Sequence, residues 1–279
     1  MQTDKEIKEM VRQKYSEIAL QDIAINTSSC CGAGGCSTEV YNIMSETYEE
    51  LKGYNPEADL GLGCGLPTQF AKIRPGDTVI DLGSGAGNDC FVARAETGET
   101  GKVIGIDFTE AMISKARANA EKLGYHNVEF RQGDIENMPV NKNIADVVVS
   151  NCVLNLVPDK KAVFSEIFRV LKPGGHFSIS DIVITSELPA KVKEASEMYA
   201  GCVAGAILKD DYLRLIIEAG FSGVIVQKDK PIIIPSDILQ SYLDENELSV
   251  FMAAETSIRS ITVYGEKPKP ACLPGAGCC

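Results

Sequence analysis

Histidine is scarce in this chain: His126 and His176 are the two in 279 residues. His126 falls in a loop entering a predicted strand and His176 begins another after a Gly-Gly turn, so both read as structural. Reactions that hinge on an imidazole base near neutral pH are therefore disfavoured. Long apolar runs are missing too. None approaches the roughly 18 residues that cross a bilayer, and the charged start MQTDKEIKEMVRQKY lacks the apolar stretch of a secretory signal. No membrane partner and a cytoplasmic setting are expected. Basic residues are outnumbered, 27 Lys and Arg against 39 Asp and Glu, for a formal net charge of -12. That balance repels phosphate backbones, and no dense Lys/Arg cluster offsets it, so nucleic acid is not expected as a partner.

What the chain does have is apolar mass and thiols. It is 44% hydrophobic and long enough for one full α/β domain plus a smaller appendage. Ten cysteines in an intracellular chain are expected to stay reduced, so they need a local explanation. Residues 4–20 place Ile7, Met10, Val11, Tyr15, Ile18 and Ala19 at helical spacing. The Gly-rich run 26–38, NTSSCCGAGGCST, has no periodicity and predicts a loop that carries Cys30, Cys31 and Cys36. A helix is predicted over 41–51, followed by the glycine-rich LGLGCGLP at 60–67.

From Asp77 short apolar strands alternate with helices: TVIDLG, a helix near 89–96, KVIGID, a helix over 110–123, VEFRQGD, ADVVVSN, a helix through 164–171, then HFSISDIV. This predicts a parallel sheet covered on both faces. Helices near 187–200 and 210–219 and the runs VIVQ, PIIIP and SITVYGE suggest a smaller α+β unit with room for a sheet of its own. The expected organisation is N-terminal helices and Cys/Gly-rich loops capping the site (1–70), a Rossmann-like domain (71–184), an α+β cap (185–266) and a Cys-rich tail (267–279) expected to be disordered.

Asp81-Leu82-Gly83-Ser84-Gly85-Ala86-Gly87 follows a predicted strand and opens a helix, where a nucleotide-type ligand needs backbone approach without a Cβ in the way. The spacing is GxGxG rather than the dinucleotide GxGxxG. Asp81 is an anion placed for a cationic ligand end, which points to S-adenosylmethionine over NAD. Asp107 ends the second strand, where it can accept from ribose hydroxyls. Asp134, in the Gly133-Asp134-Ile135 segment, can accept from an adenine amino group. A strand-end Asp can simply cap the next helix, but three at successive strand ends around one glycine loop favour the ligand reading. The order of motifs from about Asp77 to Asp181, including Leu171-Lys172-Pro173-Gly174-Gly175, resembles class I S-adenosylmethionine methyltransferases. The strand ADVVVSN delivers Asn151 and Cys152 to the crevice beyond the strand ends.

An acceptor with its own lone pair and no proton to lose needs no base, only soft ligands to hold it. At Leu62-Gly63-Cys64-Gly65-Leu66, at Asn88-Asp89-Cys90, at Ser150-Asn151-Cys152-Val153-Leu154-Asn155-Leu156-Val157-Pro158-Asp159-Lys160 and at Gly201-Cys202-Val203-Ala204-Gly205-Ala206 the chain resembles the arsenite S-adenosylmethionine methyltransferases. The resemblance implies that Cys152 and Cys202 bind As(III), as arsenite or its glutathione conjugate, with Cys64 as third thiolate or as a disulfide partner during turnover. It further implies that one N-terminal cysteine, Cys30, Cys31 or Cys36, pairs with Cys64, and that thioredoxin or glutathione reopens the disulfide. Cys90, inside a predicted helix, reads as packing. A structural zinc site from Cys30, Cys31 and Cys36 with Cys272, Cys278 and Cys279 lacks the usual two-residue separation. The terminal pair could equally be an arsenic shuttle or a tail of no assigned purpose. Two alternatives stand beside this reading: a small-molecule C- or O-methyltransferase, and a non-enzymic thiol-rich metalloid-binding protein.

Overall fold

The computed structural model describes residues 3–20, 47–188, 190–191, 203, 205–232, 240, 242–253 and 258–270. Seven strands form one sheet: β1 (Thr78–Leu82), β2 (Lys102–Asp107), β3 (Val128–Gln132), β4 (Ala145–Asn151), β5 (Leu171–Ile184), β6 (Ser222–Ile232) and β7 (Ile258–Glu266), in the order β3-β2-β1-β4-β5-β7-β6. Strands β1 to β5 pair in parallel, while β7 runs antiparallel to both neighbours. The two strands expected in a C-terminal cap thus extend the main sheet instead of building their own. Their register explains why: β7 pairs residue for residue with β5 from His176↔Glu266 to Ile184↔Ile258, and its buried Ile261 and Val263 complete the core that β5 begins.

The central strands are apolar on both sides, as a parallel sheet covered by helices requires; in β4, Val147, Val148 and Val149 are all fully buried. Helices α1 (Asp4–Leu20), α2 (Asn88–Thr97), α3 (Glu110–Lys122), α4 (Lys160–Val170), α5 (Lys209–Glu218) and α6 (Glu245–Ala253) flank the sheet, the last two lying beyond β5 in the chain. Their starts follow local chemistry. In α4, for example, Asp159 Oδ1 accepts from Ala162 N at 2.9 Å, a side-chain cap of the first turn. The expected turn Lys172-Pro173-Gly174-Gly175 bulges between Leu171 and His176, the residues that pair with Ala145 and Val147 of β4.

Residues 41–46 of the expected second helix lie outside the described residues, and 47–51 form turns, not helix. The reason is tertiary. Tyr48 turns inward to lie 5% exposed with its hydroxyl on Asp89, and Gly53, at φ +87°, lets the chain pass against the Phe91 carbonyl. Of the helix expected near 187–200, residues 187, 188, 190 and 191 are described; 190 and 191 are helical, and 187 and 188 are not. The tail cysteines lie outside the described residues. Among the described residues no helix is long and apolar enough to cross a membrane.

Candidate active site

The sheet changes direction between β1 and β4, and ligands in such sheets bind beyond the carboxyl ends of the strands at that point. One cleft opens there. It is walled by the ends of β1, β2 and β4, the loop after β3, the 58–63 segment and α1. Asp81, Gly83, Ser84, Gly85, Asp107, Asp134, Ile135, Asn151 and Cys152 all line it. Neither histidine does: His126 is exposed, and His176 Nε2 sits 2.6 Å from the Ala71 carbonyl.

The glycine loop is shaped by its own hydrogen bonds and by what lies against it. Gly83 N and Ser84 N both donate to the Ile106 carbonyl, at 2.8 and 3.0 Å, tying the loop to β2. Gly83 has φ +65°, and a Cβ there would meet Val153 Cγ2 at 2.4 Å. Gly85 differs. It too is left-handed, at φ +49°, but a Cβ would meet nothing within 4 Å, since the residue faces open cleft. Its amide donates to Asp107 Oδ2 at 3.0 Å while Thr109 N donates to Oδ1 at 2.8 Å, so the carboxylate is aimed before any ligand arrives. Each oxygen keeps a further lone pair for a hydroxyl. Burial pushes the Asp107 carboxyl up despite those two amides.

The far end of the cleft is anionic. Asp81 is 2% exposed and takes the Cys90 thiol at 3.2 Å on Oδ2. Cys90 is thus buried as expected, but its sulfur also has a polar task, and burial together with Asp81 pushes its pKa well up. Asp89 lies close by; its Oδ2 accepts from Tyr48 Oη at 2.8 Å and from Asn151 Nδ2 at 3.3 Å. Burial, then mutual repulsion, drives the Asp81 carboxyl well above its usual range, and burial raises Asp89 as well. Two buried carboxylates with no lysine or arginine of the described residues against them invite a cationic ligand, which would relieve both costs. Lys8 of α1, the cation that lines the cleft among the described residues, is 2.7 Å from Asp134 Oδ2 and also contacts Glu136. Asp134 Oδ1 takes the Glu136 amide at 2.9 Å.

Cys64 and Cys152 share one buried apolar cluster at the β4 end. Cys152 follows Asn151 with φ +60°, a conformation that costs a non-glycine residue on the order of 1–2 kcal/mol. It is held by Cys152 N donating to Ser180 O at 2.8 Å. Cys64 is fully buried in the same apolar cluster, with Val11, Leu156 and Val203. Asn151 fixes it: Oδ1 accepts from Cys64 N at 3.0 Å and Gly65 N at 3.3 Å, and Nδ2 donates to Gly65 O at 2.8 Å. The glycines flanking Cys64 are needed for that approach, because a Cβ on Gly63 would lie 2.5 Å from Asn151 Nδ2 and one on Gly65 2.6 Å from Ser180 Oγ. Asn151 therefore touches the cleft, Asp89 and the Cys64 loop at once. Cys30, Cys31, Cys36 and Cys202 lie outside the described residues.

Sequence reasoning missed Asp89, Tyr48 and Lys8. An acidic residue in the first turn of α2 reads as a helix-dipole partner, Tyr48 fell inside a predicted helix, and Lys8 sits among the charges of an amphipathic one.

The residues fit S-adenosylmethionine: an open backbone cradle at Gly85, a carboxylate at the end of β2 with spare lone pairs, and buried anions where the cationic end would lie. A family model described as a methyltransferase domain matches residues 73–220. Strand order, the reversed β7 and this cleft define a class I S-adenosylmethionine-dependent methyltransferase. The chain is 45% identical over 266 residues to an arsenite methyltransferase of Halobacterium salinarum, covering 90% of this chain and 66% of that protein. It is 32% identical over 244 residues to an arsenite methyltransferase of Aquipseudomonas alcaligenes, covering 85% and 68%. The crystal structure of an arsenic(III) S-adenosylmethionine methyltransferase from Chlamydomonas reinhardtii superposes with a TM-score of 0.63 at 35% identity, covering 76% of this chain and 69% of that one. The chain belongs to the arsenite methyltransferase family. It spans about two thirds of the length of these curated relatives.

The loop geometry makes one expectation quantitative. Gly85→Val meets only open space, and the strain of a β-branched residue at φ +49°, on the order of 1–3 kcal/mol, is read separately as a lowered melting temperature. It places a side chain where the ligand must lie, so affinity for S-adenosylhomocysteine measured by titration calorimetry falls by more than about tenfold, or about 1.4 kcal/mol.

Proposed function

We propose that this protein methylates trivalent arsenic, using Cys64, Cys152 and Cys202 as its thiolate ligands. The observation that carries the proposal is the convergence of Cys64 and Cys152 in one buried cluster beside the cofactor cleft, with Asn151 bridging the two. Cys202, which lies outside the described residues, joins them through the resemblance of Gly201-Cys202-Val203-Ala204-Gly205-Ala206 to the arsenite methyltransferases.

S-adenosylmethionine supplies an electrophilic methyl group on a cationic sulfur. Asp81 and Asp89 hold the cationic end, Asp107 the ribose and Asp134 with Ile135 the adenine. Soft thiolates select a soft acceptor and leave three-coordinate arsenic with a lone pair facing the cleft. Bound in the cleft, S-adenosylmethionine would offer its methyl carbon to that lone pair with the sulfonium sulfur as leaving group, so no proton would have to be removed. This agrees with a cleft whose described lining holds no histidine. The chain contributes mainly alignment and proximity, which can supply several kcal/mol. Methylation raises arsenic to the pentavalent state. Two thiolates, one of them Cys64 and the other from Cys30, Cys31 or Cys36, return two electrons to it and close a disulfide. Glutathione or thioredoxin reopens that bond by exchange, which fits a cytoplasmic setting.

The test is transfer of labelled methyl from S-adenosylmethionine to arsenite with glutathione or thioredoxin as reductant, the products separated by chromatography. Methylated arsenicals are expected. Cofactor binding without an arsenic product would redirect the search to carbon or oxygen acceptors, and arsenite binding without cofactor dependence to a metalloid carrier.

A further inference from the structure

Next to the two thiols, and outside the lining of the cleft, lies a buried polar cluster that the proposed chemistry does not use. Asp181 of β5 is fully buried, as is Tyr212 of α5, and Lys160 at the start of α4 is 8% exposed. Buried charge of this kind is costly and needs a reason. The Asp181 carboxylate accepts from its own neighbour, Ile182 N, at 3.0 Å, from Tyr212 Oη at 3.3 Å and from the backbone amide of Leu154. Leu154 opens the short 3-10 turn Leu154–Leu156 two residues after Cys152. The strand grips that same turn at two more points: Cys152 N donates to Ser180 O at 2.8 Å, and Asn155 Nδ2 donates to Ile182 O at 2.7 Å. Three consecutive residues of β5 thus clasp the loop in which Cys152 holds its left-handed backbone. Lys160 acts electrostatically on Asp181 and donates to the Gly205 carbonyl at 3.0 Å. Tyr212 feels the charges of Asp181, Cys64 and Cys152 together, so the cluster abuts the thiols.

We infer that Asp181, with Lys160 as its counter-charge, is a positioning residue that holds the Cys152 loop in the conformation presenting its thiol to arsenic. This rests on the functional reading above. A strained loop relaxes unless its surroundings over-determine it, and the Asp181 carboxylate is the side-chain anchor among the three contacts. Burial pushes its carboxyl up to about 7 even with Lys160 opposing, so its presence costs stability that simple packing would not incur.

The experiment uses the full chain with the paired substitution Asp181→Leu and Lys160→Met. Replacing both buried charges with apolar groups of similar size is often neutral or stabilising, so the fold is expected to stand; Asp181→Asn alone serves as a second variant that keeps one acceptor oxygen. Three readouts are taken: amide exchange at Leu154, KM and kcat with arsenite, and affinity for S-adenosylhomocysteine. In the double variant, exchange at Leu154 is expected to speed up by on the order of tenfold. KM for arsenite should rise by a similar factor, with cofactor affinity within about twofold of wild type. Asp181→Asn should fall between the two. Unchanged exchange would overturn the anchor itself, whatever the acceptor. Faster exchange with wild-type arsenite kinetics would reduce Asp181 to a structural residue. Wild-type protein that transfers no methyl to arsenite would overturn the functional reading and the thiol-presenting role with it.

Discussion

Cys152→Ser and Cys152→Ala are expected to abolish methyl transfer to arsenite, by at least about 100-fold, while S-adenosylhomocysteine binds as before. The size follows from the role assigned to sulfur. A hydroxyl has nearly the shape of a thiol but is a hard donor, and soft arsenic discriminates against it; even displacement of a reactant by about 1 Å costs around 100-fold in such aligned reactions. Cys152 lies at the end of β4 with its backbone held by Ser180 O, so neither variant should move Asn151 or the glycine loop. Alanine is the necessary companion. Serine places a hydroxyl in an apolar cluster of Leu156, Ile182 and Val203, which costs roughly 1–3 kcal/mol if unpaired, whereas alanine does not. Equal loss of activity in both, with melting temperature preserved in alanine, isolates the thiol. Activity retained in either variant would remove Cys152 from the ligand set.

Affinity for S-adenosylmethionine is expected to rise as pH is raised from 5 to 7.5, by on the order of tenfold. The buried Asp81–Asp89 pair sets the window: burial lifts the Asp89 carboxyl to about 6 against the hydrogen bonds from Tyr48 and Asn151, and burial with repulsion from Asp89 holds Asp81 well above its usual range. The sign is fixed by linkage. A carboxyl raised in the folded state stays protonated there while the unfolded chain is already ionised, so the free protein loses stability as pH rises from about 4 to about 6 and then levels off. The cationic ligand prefers the ionised form, so binding strengthens across the same window and offsets that loss. Calorimetry at several pH values checks it, and Asp89→Asn should flatten the dependence and weaken binding at pH 7.5. A wild-type profile flat between pH 5 and 7.5 would show that the carboxylate pair does not face the ligand's charge.

Much of the framework was legible because it is local or periodic. Helix α1 spans the residues whose apolar spacing predicted it, and each parallel strand sits on its apolar run. The strand-end aspartates and the glycine loop could be read because the chemistry of a crossover sheet puts ligand contacts there whatever the rest of the chain does. The failures share a cause in contacts distant along the chain. Residues 47–51 form turns because Tyr48 is needed 41 positions away, on Asp89. VIVQ and SITVYGE have ordinary strand patterns, and nothing local says whose edge they join; β7 takes the free edge of β5 because its apolar face completes a core already half built. Asp181 had no sequence signal at all, since a lone acid in an apolar strand acquires meaning only from the Leu154 amide, Tyr212 and Lys160 that the fold places around it.

By itself, the sequence determined the class of fold and the place of the cleft beyond the strand ends, because glycine spacing and strand-end carboxylates are facts of composition and order. Tertiary structure decided what those residues do to one another: that Asn151 joins the Cys64 loop to the cleft, that Asp81 and Asp89 form one buried anionic pair, and that β6 and β7 close the sheet. Charge, burial and hydrogen-bond geometry act over a few ångströms of space, and only the fold turns distances of tens of residues into distances of that size.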